Sequence, residues 1–81
     1  MGGGGNAAIS GYDAPARAMA SHLQSTGWSL KDANRQKATF DQKGGNQKVE
    51  LEATGRWSLF RTTASGGSMV YRTGVGREQW S

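Results

Sequence analysis

The side chains in this sequence best suited to hold a ligand are cations and aromatic rings carried on short alternating runs. Arg56, Phe60 and Arg61 fall within Arg56-Trp-Ser-Leu-Phe-Arg-Thr, and Tyr71 and Arg72 within Ser68-Met-Val-Tyr-Arg-Thr. Lys37 and Lys48 lie on either side of a glycine turn, and Arg77 follows near the C-terminal end. Cations attract phosphates, and exposed rings on strands stack unpaired bases for about 1–3 kcal/mol each. Basic and aromatic side chains interleaved on one sheet face are the device of single-stranded nucleic-acid readers. These residues therefore predict a binding module for single-stranded DNA or RNA. Tryptophan, tyrosine and arginine also anchor protein interfaces, and Phe60, Tyr71, Arg72 and Trp80 would serve one equally well. The alternative is thus an accessory or inhibitor domain that recognises an acidic partner protein. Salt separates the two, because phosphate binding weakens steeply as salt rises.

Catalytic chemistry has little to stand on. His22 is the one imidazole, and beside Leu23 on a helical stretch it reads as a half-exposed helix residue. Asp41, Glu50 and Glu52 are close in sequence, but the strand register below gives Asp41 and Glu52 basic neighbours, which makes them structural. There is no nucleophile elbow and no zinc-protease motif. The glycines at Gly2–Gly5 lack the Gly-Lys-Ser/Thr ending and preceding strand of a phosphate loop. With no cysteine and a single histidine, a metal site has too few nitrogen and sulfur ligands. No enzymatic activity, cofactor or metal is expected.

The elements that must position these residues follow from periodicity. Met1 to Gly11 is glycine-rich with few side chains to pack, and glycine loses the most backbone entropy on ordering. It is expected to be a flexible arm, leaving residues 12–81 as a single small domain. Asp13 offers an N-cap carboxylate and Pro15 suits a first helical turn. From Ala14 through Ser25, Ala16, Met19, Ala20 and Leu23 recur at helical spacing, and Gly27 provides the stop. At Trp28 the period changes to two, with Trp28 and Leu30 alternating with polar residues; Asp32 to Gln36 reads as a loop or a frayed strand.

Two alternating runs around Gly44-Gly45 predict a hairpin. In that register Asp41 faces Lys48, Phe40 faces Val49, Thr39 faces Glu50, Ala38 faces Leu51 and Lys37 faces Glu52. Apolar side chains meet on one face and opposite charges on the other, a match that a one-residue slip would destroy. A three-residue loop, Ala53-Thr54-Gly55, then sets Leu51 against Trp57 and Val49 against Leu59. Trp57 belongs to the core, while Arg56, Ser58, Phe60 and Thr62 take the other face with Lys37, Thr39 and Lys48. For the last turn, a two-residue loop sets Phe60 opposite Tyr71 and a three-residue loop sets it opposite Arg72, so that one or the other joins that face. Trp80 either folds back or is left for a partner. Thr26-Gly-Trp-Ser-Leu and Thr54-Gly-Arg-Trp-Ser-Leu, with a fainter echo in Thr73-Gly and Trp80-Ser81, read as recurring turn-and-strand chemistry.

The fold expected is α+β: one N-terminal helix packed on a four-stranded (three to five) antiparallel meander sheet. Such a sheet leaves its uncovered face to water or to a partner. At 81 residues the chain forms one domain with a modest core, burying roughly 60% of its unfolded surface. Ten basic against six acidic residues give a net charge of +4, suited to polyanions or an acidic protein face. No apolar run reaches the roughly 18–20 residues of a membrane span, and the start has no signal-peptide pattern. The expected setting is cytoplasmic, which the absence of cysteine fits.

Overall fold

The computed structural model describes residues 3–80. Met1 and Gly2 of the expected arm, and Ser81 of the third echo, lie outside the described residues. Two helices, α1 (Gly3–Ile9) and α2 (Ala14–Ser25), precede five strands, β1 (Trp28–Ala33), β2 (Lys37–Gln42), β3 (Gln47–Glu52), β4 (Arg56–Thr62) and β5 (Ser68–Val75). A 3-10 turn, η1 (Arg77–Gln79), closes the order. The strands pair in sequence order, each antiparallel to the next. The fold is therefore α+β, with one main helix ahead of a five-stranded meander. No helix among the described residues is long and apolar enough to cross a membrane.

The stretch read as a flexible arm differs from that expectation over Gly3–Ile9, which is helical. Ile9 is buried in the core cluster with Tyr12, and α1 packs against β1. Glycine entropy dominated the sequence reading; burial of Ile9, worth about 1.5–3 kcal/mol for such a side chain, opposes it.

Helix α2 has the expected bounds, and its stripe of Ala16, Met19, Ala20 and Leu23 is buried. Asp13 occupies the N-cap position in an extended conformation, but its carboxylate makes no capping hydrogen bond. Its backbone N–H instead donates to the Ala53 carbonyl (2.8 Å), tying the helix start to the β3–β4 turn. Gly55 in that turn has φ +104° and abuts Pro15, so a side chain there would be both strained and crowded.

The sheet's covered face carries Trp28, Ala38, Phe40, Val49, Leu51, Trp57 and Leu59, all buried with the helix stripe in one core. The registers of β2 with β3 and of β3 with β4 are those read from the sequence. The ion pairs are not the directly facing ones. Lys37 and Lys48 both reach Glu50, at 3.7 and 4.0 Å, and Asp41 lies 3.9 Å from Lys31 of β1. Long side chains span to neighbouring positions on the same face, so Glu50, the acid given no basic partner by register alone, has two.

The last hairpin follows neither register anticipated. Its three-residue loop is Ala64-Ser65-Gly66, closed by Thr63 N–H to the Gly67 carbonyl, with Gly66 at φ +93°. Thr63 Oγ1 also accepts from the Gly67 N–H. This sets Phe60 against Val70; the register then shifts, so that Leu59 faces Arg72 and Tyr71 is the extra residue of a bulge.

Candidate functional site

Four of the eight residues singled out by sequence lie on the uncovered face of the sheet: Lys37, Lys48, Arg56 and Phe60. Phe60 is half-buried there, and the Lys48 ammonium sits 5.3 Å from its ring centroid. The same face also holds Lys31, Asp32, Asp41, Glu50 and Glu52 by strand parity and by the Lys31–Asp41 contact. Lys31, Lys37, Lys48 and Arg56 are thus balanced by Asp32, Asp41, Glu50 and Glu52. Three of those four cations already lie beside a carboxylate. An interleaved, charge-neutral surface of this kind exerts no net pull on a polyphosphate. The net positive charge of the chain is carried elsewhere, by Arg17, Arg35, Lys43, Arg61, Arg72 and Arg77 against Asp13 and Glu78.

The other four singled-out residues, Arg61, Tyr71, Arg72 and Arg77, gather on the helix side. Sequence placed Arg72 or Tyr71 on the open face; with Val70 opposite Phe60, alternation turns Tyr71 to the covered side, and the bulge keeps Arg72 there opposite Leu59. Strand parity with Trp57 and Leu59 puts Arg61, which is exposed, on that side too. Its guanidinium lies 3.9 Å from the Tyr71 ring centroid. Arg72 stands 5.3 Å from the centroids of both Trp57 and Trp80 and donates to the Trp80 carbonyl. Trp80 folds back onto the domain, edge-on to Trp28 at 5.7 Å and to Trp57 at 5.0 Å. Trp57 is fully buried, and its indole N–H donates to the Gly76 carbonyl at 2.9 Å.

Arg77 Nε donates to His22 Nδ1 at 3.1 Å. Accepting that bond requires Nδ1 to be unprotonated, so a neutral His22 carries its proton on Nε2. Its neighbour is a cation that it serves as acceptor, unlike a catalytic histidine oriented by a carboxylate. Between the end of α2, the tail and the far end of the sheet runs a groove of about 450 Å³. His22, Thr26, Trp28, Gln42, Gln47, Leu59, Tyr71, Arg72 and Trp80 line it, with no acidic residue among them. The Gln47 side-chain amide donates to Gln42 Oε1 across the β2–β3 turn at 2.9 Å, bracing the groove floor.

Strand β5 forms one wall of that groove and one edge of the sheet. Among the described residues the exposed large hydrophobics are Met69 (58%), Val70 (56%), Tyr71 (55%) and Val75 (48%), all on this strand. Exposed edges invite pairing, and proteins normally blunt them with charges, bulges or a covering element. The β1 edge has all three: Lys31 and Asp32, a register shift at Leu30/Asp32, and α1 packed against it. At β5, Gln79 Oε1 accepts from the Val75 N–H (2.7 Å), capping the C-terminal end. Ser68 to Tyr71, ahead of it, carries no charge. The bulge at Tyr71 is the one device present there.

Sequence reasoning passed over Met69, Val70, Gln42 and Gln47 as binding residues. A signal was available for the first two: Met69-Val70-Tyr71 is an unbroken apolar run in a strand with one face open, a pattern that alternation does not explain. The glutamines gave none, since only the folded β2–β3 turn brings them beside Trp28. Comparison of the chain with protein-family models, curated proteins and solved structures returned no match.

Proposed function

We propose that this chain is a non-catalytic binding module that receives an extended segment of a partner protein along the edge of β5. The observation that carries the reading is the concentration of exposed large hydrophobics on that one edge strand. A strand added to a sheet edge gains main-chain hydrogen bonds from the edge and specificity from pockets under alternate side chains. β5 supplies the edge, and the groove beside Tyr71 and Arg72 supplies such a pocket. A cytoplasmic setting belongs to the same proposal.

The test is selection from a random peptide library of about ten residues, the length of one strand, followed by hydrogen exchange with a selected peptide. Slowed exchange over Ser68–Arg72 is the expected result. Protection confined to another surface, or no selection above background, would refute it. A second reading, single-stranded nucleic acid, draws on the stacked Arg61–Tyr71 pair and the arginines of the helix side. Titration with fluorescent oligonucleotides at about 50 and 200 mM salt distinguishes it, since binding through phosphates falls steeply over that range.

A further inference from the structure

We infer that the segment docked on β5 presents a carboxylate side chain to the groove side of the sheet, where Arg61 receives it. The inference rests on the edge-strand reading above and names the chemistry of its partner. A strand laid beside β5 sends alternate side chains to opposite faces of the sheet. Those on the open side meet Val70 and Thr73, next to a face whose charges already cancel. Those on the helix side meet Met69, Tyr71 and Arg72, next to a groove with no aspartate or glutamate in its lining.

Arg61 is exposed and lies opposite Gln47 in the sheet and against Tyr71, both of which line the groove. Its guanidinium lies over the Tyr71 ring, and none of the ion pairs among the described residues includes it. A guanidinium over a ring face forms no ordinary hydrogen bond with the ring's edge, so its N–H groups are left for a carboxylate, and the ring contact limits the freedom lost when that bond forms. A second copy of this chain fits the same edge less well. Two-fold pairing of β5 with itself would bring two Arg61 guanidiniums to one edge, and like charges across an interface are unfavourable. A phosphate polymer would leave the apolar Met69 and Val70 uncovered.

The experiment uses the intact chain and the peptides selected on it. Aspartate or glutamate is expected at one fixed position in the selected sequences, with apolar or β-branched residues at the intervening ones. Replacing that acid by its amide should weaken binding about tenfold, as should Arg61→Glu, because opposed charges in close contact couple at least that strongly. Combining Arg61→Glu with lysine at the same peptide position should restore affinity. Arg61→Gln, which neither adds repulsion nor disturbs a buried group, should also lose the preference for acid. If peptides protect β5 but show no acidic preference, or if Arg61→Glu leaves the preference intact, the carboxylate inference falls and the edge-strand reading stands. If no peptide protects β5, both fall. Protection of β5 that grows with protein concentration in the absence of peptide would make a second copy the occupant and overturn the inference.

Discussion

Gly74 is the residue whose replacement tests the packing behind the site most directly. It faces Trp57 across the β4–β5 ladder, and a Cβ built on it would lie 2.4 Å from Trp57 Cζ2, 2.8 Å from Cε2 and 3.0 Å from Cη2. Carbon atoms pack at about 3.5–4.0 Å, so Gly74→Ala creates an overlap of more than an ångström with a ring that has no slack. The Trp57 ring is fully buried, abuts Trp80 and is held by its bond to the Gly76 carbonyl. Overpacking alone costs about 1–3 kcal/mol, and displacing the indole from its acceptor adds about 1–3 kcal/mol for an unsatisfied buried donor. A loss of roughly 2–6 kcal/mol follows where both apply. Domains of this size have total stabilities of about 4–12 kcal/mol. In urea, with a slope of about 1 kcal/mol/M, the midpoint followed by far-ultraviolet circular dichroism should fall by about 2 M or more.

Gly67→Ala provides the comparison. Its added Cβ would meet Thr63 Oγ1 at 3.4 Å on an exposed turn, so a change within about 0.5 kcal/mol is expected. A Trp57→Phe background lacks the atoms Cζ2 and Cη2, and there Gly74→Ala should cost much less, a non-additivity of the kind contacting residues show. An equal cost in both backgrounds, or a single-variant change below about 0.5 kcal/mol, would refute the steric account.

Two further expectations concern the same core. Trp80→Ala removes two edge-to-face ring contacts, each worth about 0.5–1.5 kcal/mol; stability should drop by about 1–3 kcal/mol, and the emission of Trp28 and Trp57 should shift red as water reaches them. Tyr12→Phe deletes the hydroxyl donor to the Asn34 carbonyl and should cost about 0.5–1.5 kcal/mol at neutral pH. Burial, and secondarily the Asp32 carboxylate, raise the Tyr12 pKa above 10.0. The folded state thus holds its phenolic proton more tightly than the unfolded chain does. That contribution is complete below pH 10.0 and is lost as pH rises through the folded value. Denaturant midpoints measured across alkaline pH should therefore decline less steeply in Tyr12→Phe than in the parent; equal slopes would contradict the assignment.

Local patterns in the chain were enough to determine α2, the β2–β3 and β3–β4 registers and the buried position of Trp57. Each is a short-range fit: a 3.6-residue stripe ended by Gly27, or a turn glycine that aligns apolar with apolar and polar with polar. Only the tertiary structure decided the rest. The β4–β5 register depended on Thr63 closing the turn onto Gly67 and on a bulge at Tyr71, neither of which alternation encodes. That one-residue insertion turned Arg72 to the groove side beside Tyr71, because side-chain direction in a strand reverses with each residue. The neutrality of the open face was equally hidden, since charge counted along the chain does not reveal that Lys37 and Lys48 converge on Glu50. Trp80, left open by a glycine-rich tail, was placed by the indoles of Trp28 and Trp57, which come together only when β1 and β4 share one face beneath α2.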